Sequence, residues 1–128
     1  MRRAVITGLG LVSPLASGAE ASWRRLVAGE SAAGPIDAFD ATGYACRVAA
    51  PVPRRSGRGG GKAMIDAGFE EETFDADAWV SPKDQRRMDD FIQFGIAAGA
   101  LALQDAGREF KTAEEKERAG VMVGAGIG

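Results

Sequence analysis

Apolar and polar positions follow two different periods along this chain. Residues 3–8, RAVITG, form a short apolar run whose β-branched Val5, Ile6 and Thr7 end at Gly8, which predicts a buried strand. A turn, GLGLVSPLASG, follows. A helical period then begins, with Ser17 as the expected N-cap and Glu20 three residues on as its capping-box partner. Trp23, Leu26 and Val27 fall at i, i+3 and i+4 and predict an apolar stripe that Gly29 closes. Between Ser31 and Pro53 the pattern is mixed. PIDAFDATGY reads as loop, and YACRVAAPV holds a strand candidate stopped by Pro51 and Pro53.

The strongest periodicity comes later. Ser81 is placed to cap a long helix, with Pro82 at its first position and Asp84 at its third. Met88, Phe91, Ile92, Gly95, Gly99 and Ala102 keep the helical period, and Gly107 ends it. Interior glycines cost a helix about 1 kcal/mol each relative to alanine. Gly95 and Gly99 therefore predict a central helix packed closely against another element. TAEEKER carries a second capping box, Thr112 with Glu115, and AGVMVGAGIG predicts a strand entering a glycine-rich turn.

Composition narrows the classes. At 128 residues the chain is long enough for one modest core, and 45% hydrophobic with 27% charged residues is a globular balance. A net charge of −2 argues against a general nucleic-acid binder, and no apolar run approaches a membrane span. Arg2 and Arg3 ahead of an apolar run outline a leader peptide. Thr7, Gly8 and Gly10 interrupt that run, and a strand entering a turn accounts for all of them. A cytoplasmic location is the expectation, and a single cysteine forms no internal disulfide.

Two glycine-rich stretches raise phosphate binding. Gly8 and Gly10 match the start of G-x-G-x-x-G, but Ser13 stands at the third position and the helix begins too late to meet a pyrophosphate. Close backbone packing at a strand exit is the preferred reading. RRSGRGGGK at 54–62 lacks the Walker spacing. With the acidic EEETFDAD that follows, it reads as a flexible surface insertion over 54–78 whose two halves partly neutralise each other.

Several motifs occur in a telling order: VITGLGLVSPLASG, then Trp23-x-x-Leu26-x-x-Gly29-x-Ser31, IDAFDA, PKDQRRMDDFIQFGIAAGALALQDAG and RAGVMVGAGIG. Together they resemble the N-terminal portion of the β-ketoacyl-acyl carrier protein synthases, synthase II type, over nearly the whole chain except about Ser56 to Asp77. The resemblance implies an α/β, thiolase-like fold layered α/β/α/β/α, of which residues 1–128 are an incomplete N-terminal part. It implies a homodimer, acyl carrier protein as partner in its acyl- and malonyl-loaded forms, and no metal or redox cofactor. It implies an acyltransferase of fatty-acid biosynthesis. The acyl chain passes to a cysteine, malonyl-carrier protein loses CO2, and the carbanion condenses with the thioester.

The family's catalytic cysteine and histidines are expected beyond residue 128, and no histidine is present here, so no catalytic residue is assigned and this segment alone is expected to be inactive. Cys46, in YACRVAAP, has no nucleophile elbow and reads as an ordinary semi-buried thiol. A polyketide-type ketosynthase fits the same motifs. So does a truncated, non-catalytic product that binds carrier protein or a full-length subunit.

Lys83, Arg86 and Arg87 lie at i, i+3 and i+4 at the start of the long helix, where cations oppose the helix dipole. By the resemblance they are the docking patch for acidic carrier protein and its phosphopantetheine arm. A solvated face with Arg86 paired to Asp89 or Asp90 is the alternative. Ile127 matches, in the same family, an apolar side chain at the inner end of the acyl pocket.

Overall fold

A computed structural model describes residues 3–126. Within them the chain is mixed, with helices dominant. Helix α1 spans Ala19–Val27, α2 Gly61–Asp66, α3 Pro82–Gln85, α4 Asp90–Asp105 and α5 Ala113–Glu117. Strands β1 (Gly34–Pro35) and β2 (Val48–Ala49) form a two-residue antiparallel ladder, Gly34 against Ala49 and Pro35 against Val48. Single 3-10 turns occupy Glu70–Glu72 and Ala76–Ala78.

The strand expected at 3–8 is not a strand here, nor is the one expected near 121–125. Ile6 is 83% exposed, and Val121 and Met122 are 92% and 98% exposed. β-branched residues suit a strand, but a strand exists only against a partner, and among the described residues neither segment has one. The second strand candidate, in YACRVAAPV, reduces to β2.

The expected long helix is two helices. Ser81 caps α3 as the sequence indicates, its Oγ accepting from the Asp84 N–H at 3.3 Å. The chain then leaves the helix at Arg86–Asp89, and Asp89 takes an extended conformation as the N-cap of α4. Asp is a preferred N-cap residue, so Asp89 followed by an apolar run is a second start signal inside the first helix, although here its side chain makes no cap hydrogen bond. The buried Gln93 side chain secures the break by donating to the Met88 carbonyl at 3.2 Å. Gly107, at φ 59°, closes α4 in a Schellman turn, with Gly107 N–H to Gln104 O and Arg108 N–H to Leu103 O, both 3.0 Å.

Helix α1 also differs from expectation. Its N-cap is Gly18, not Ser17, and no side chain caps it. The Ser17 N–H instead donates to the Glu72 carbonyl at 2.7 Å. Trp23 is 64% exposed, and Leu26 and Val27 are exposed with it, whereas Ser22 is buried. Polar contacts orient this helix: Ser22 Oγ donates to Ala16 O at 3.0 Å, and Arg24 and Arg25 pair with Glu72. The capping box of α5 forms as expected, with Thr112 and Glu115 each capping the other.

The small core lies where 53–55 meets 74. Phe74 is 1% exposed and stacks edge-on against Phe94 at 4.8 Å, while Pro53, Val80 and Ala97 are buried. Backbone bonds from Phe74 N–H to Pro53 O and Arg55 N–H to Phe74 O, at 2.8 and 2.9 Å, join the two stretches in parallel. Residues 54–78 thus carry α2 and supply the most enclosed aromatic of the molecule.

Candidate functional site

The opening glycine turn is a packing device. A Cβ on Gly8 would sit 2.6 Å from the Ala106 amide nitrogen, and one on Gly10 would sit 2.5 Å from that of Ala102. Both glycines therefore let the N-terminal segment lie on the backbone of α4, along its alanines. The Leu9 N–H donates to Asp105 Oδ2 at 2.8 Å. Ser13, in place of a third glycine, turns the chain itself. Its Oγ accepts from the Leu15 and Ala16 amides, both at 3.2 Å. The Leu9, Ser13, Leu15 and Ala16 amides are thus engaged within the chain.

Gly95 and Gly99 behave differently. Nothing described lies within 4 Å of a Cβ built on either. The close packing expected there does not occur among the described residues, and on α4 only Gln93 and Ala97 are buried. The side bearing these glycines instead forms, with 121–126, an apolar groove of about 640 Å³ lined by Phe91, Ile92, Ile96, Val121 and Val123. Gly126 is among its lining residues, and Ile127, the acyl-pocket candidate, lies outside the described residues.

Lys83, Arg86 and Arg87 fall on α3 and the turn after it. All are exposed, and among the described residues none forms an ion pair. Arg86 is the C-cap of α3, so it and Arg87 follow a helix C-terminus, where positive charge is favourable. The anticipated pairing of Arg86 with Asp89 or Asp90 does not form. Asp90 is taken by Arg54, whose Nη2 lies 2.6 Å from Asp90 Oδ2 while its guanidinium stacks over Phe74 and Phe94.

Neighbouring acids are similarly engaged. Arg55 lies 3.1 Å from Asp75, 3.2 Å from Glu71 and 3.6 Å from Glu70. Gln85 Nε2 donates to Asp77 Oδ1 at 2.8 Å and to Val80 O at 2.7 Å, fixing α3 to the 76–80 turn. Glu72 receives hydrogen bonds from both Arg24 and Arg25. Burial opposes its charge, but those bonds outweigh burial and hold the carboxyl below its usual range. Burial likewise works against Arg25, and Glu30 and Glu72 reverse its effect, so the guanidinium is held more firmly protonated. The composition of 54–58 and 70–77 hints at such neutralisation. Only the fold assigns the partners and leaves Lys83, Arg86 and Arg87 without an ion pair among the described residues.

Cys46 is exposed rather than semi-buried, because β2 begins only after it. Its Sγ donates to the Val48 carbonyl at 3.3 Å. Among the described residues no cluster of His, Cys, Asp or Glu could hold a metal, and no helix is long and apolar enough to cross a membrane.

The family described as beta-ketoacyl synthase, N-terminal domain, matches residues 1–128. The chain is 41% identical over 128 residues to a 3-oxoacyl-[acyl-carrier-protein] synthase 2 of Rhizobium meliloti, covering 100% of this chain and 28% of that protein. Against the synthase 2 of Vibrio harveyi it is 41% identical over 127 residues, 99% of this chain and 26% of the relative. Against the chloroplastic 3-oxoacyl-[acyl-carrier-protein] synthase I of Hordeum vulgare it is 36% identical over 131 residues, 99% and 24%. The chain therefore spans about a quarter of the length of these relatives.

Proposed function

The chain belongs to the β-ketoacyl synthase family, and from that premise we propose that residues 1–128 serve a 3-oxoacyl-[acyl-carrier-protein] synthase of fatty-acid elongation by docking its carrier protein. The observation that carries this reading is the exposed trio Lys83, Arg86 and Arg87, none of which forms an ion pair among the described residues, presented on and just after a capped turn while Asp90 and Asp75 are paired with Arg54 and Arg55. An acidic protein surface meets such a patch with long-range attraction.

In this reading the nucleophilic cysteine and the histidines of the condensation are supplied outside these residues, and Cys46 takes no part. The α/β segment takes its place in a thiolase-like layered fold, α/β/α/β/α. There the stretches around Val5 and Val121 gain strand partners, and the groove beside Gly95 and Gly99 is filled. Ile127 walls the acyl pocket, the enzyme is a cytoplasmic homodimer, and 54–78 is a surface insertion in the family frame.

The docking claim is tested in a full-length synthase, the Rhizobium meliloti relative with residues 1–128 exchanged for its matching segment. Lys83→Glu with Arg87→Glu should weaken carrier-protein affinity by roughly tenfold at low salt and less at high salt. Unchanged affinity at both salts would remove the hypothesis.

A further inference from the structure

Residues 53–80 hold both sides of the Arg86–Asp89 break. On the α3 side, Gln85 Nε2 donates to Asp77 Oδ1 at 2.8 Å and to the Val80 carbonyl at 2.7 Å. On the α4 side, Arg54 Nη2 lies 2.6 Å from Oδ2 of Asp90, the first residue of that helix. The Arg54 guanidinium also stands 5.1 Å from the ring centroid of Phe94, one turn further along α4, and 5.6 Å from that of Phe74.

Arg54 is itself fixed. Its N–H donates to the Arg58 carbonyl at 3.0 Å, it bridges to Phe74 in parallel, and its side chain is 12% exposed. A planar guanidinium stacked on two rings loses little further freedom in pairing with a carboxylate, and a pair with one partner enclosed is screened less than one in open water. The break has short-range bonds of its own, Arg87 N–H to Asp84 O at 2.9 Å and Met88 N–H to Gln85 O at 3.3 Å. Arg86 and Arg87 are exposed upon it, so the scaffold that anchors its two ends sets their direction.

We propose that Arg54 is a positioning residue for carrier docking. Acting through Asp90, it fixes the start of α4 against the Pro53–Phe74 core and so sets how the break presents Arg86 and Arg87. This role rests on the carrier-docking reading of Lys83, Arg86 and Arg87, and names what holds that surface in place. It requires no contact between Arg54 and the partner.

The test uses the full-length exchange enzyme with carrier-bound and carrier-free malonyl thioesters. Arg54→Met removes a positive charge and Asp90→Asn a negative one, and both break the same pair. Each should raise KM for the carrier-bound substrate about threefold at low salt, with kcat and the carrier-free reaction little changed. The double variant should be no worse than the more affected single one. Asp90 is 63% exposed, so Asp90→Asn decides the matter even if Arg54→Met fails to fold. A KM that falls with Asp90→Asn would overturn the proposal, because charge alone would then govern the effect. So would a KM rise shared by Glu72→Gln, whose pairs are with α1, because lost stability would then explain it. If Lys83→Glu with Arg87→Glu raises KM and the Arg54 and Asp90 variants do not, docking stands and the role of Arg54 is overturned. If the charge reversals leave KM unchanged, the docking reading falls and the role of Arg54 falls with it.

Discussion

Glu72 joins two helical regions through single side chains: its carboxylate receives Arg24 and Arg25 of α1, and its carbonyl receives the Ser17 amide. Its folded-state pKa is depressed, so its contribution is complete above the ordinary carboxylate value, about 4.3, and is lost as pH falls through the depressed one. Glu72→Gln should therefore lower stability by about 1–3 kcal/mol at neutral pH. The difference from the parent should vanish in acid, as read by denaturant titration across pH. A difference that stays constant with pH would show that the ion pairs are not its source. Gly10→Ala makes a sharper demand. The added methyl would meet backbone rather than a movable side chain. A loss of about 2 kcal/mol or more is expected, whereas a change within about 0.5 kcal/mol would mean that α4 and the turn separate readily. At Ile127, substitution by Phe in the full-length exchange enzyme should disfavour long acyl substrates over short ones. An unaltered chain-length profile would remove Ile127 from the pocket wall.

Elements were legible where the signal is local. The Ser81 and Thr112 caps and the glycine stop at Gly107 are one-turn hydrogen-bond arrangements, and the chain encodes them within four residues. Elements that need partners were not legible in the same way. The apolar runs at 3–8 and 121–125 have strand chemistry, but pairing is a property of two segments. The α1 stripe was misread because Arg24 and Arg25 pair with Glu72, 48 and 47 residues along the chain, and hydrophobic period carries no information about such partners. Asp89 as an internal N-cap was readable and was outweighed by the apolar period running through it. For the candidate site, Lys83, Arg86 and Arg87 were visible in sequence. That none of them forms an ion pair among the described residues required the fold. Ser81→Ala removes the cap of α3, at the turn proposed to dock the carrier. It should cost about 1 kcal/mol of stability and weaken carrier affinity less than the charge reversals do. An affinity loss as large as that of Lys83→Glu with Arg87→Glu would mean that turn geometry, not charge, governs docking.

At the scale of the whole molecule, apolar surface is left uncovered. Val5, Ile6, Trp23, Val121 and Met122 are exposed, and the groove beside α4 is open. Such area on a single chain favours association. Expressed by itself, the chain should bind an apolar dye and elute as larger species, and a dye-silent monomer would contradict the open surface. In the proposed layered frame these faces are covered, whereas the proposed docking patch stays open for its partner.

The most direct test of that distinction is steady-state kinetics of the full-length exchange enzyme with carrier-bound and carrier-free malonyl thioesters. The account predicts that Lys83→Glu with Arg87→Glu raises KM for the carrier-bound substrate about tenfold at low salt, with kcat and the carrier-free reaction little changed. Equal loss on both substrates, or none on either, would contradict carrier docking by this segment.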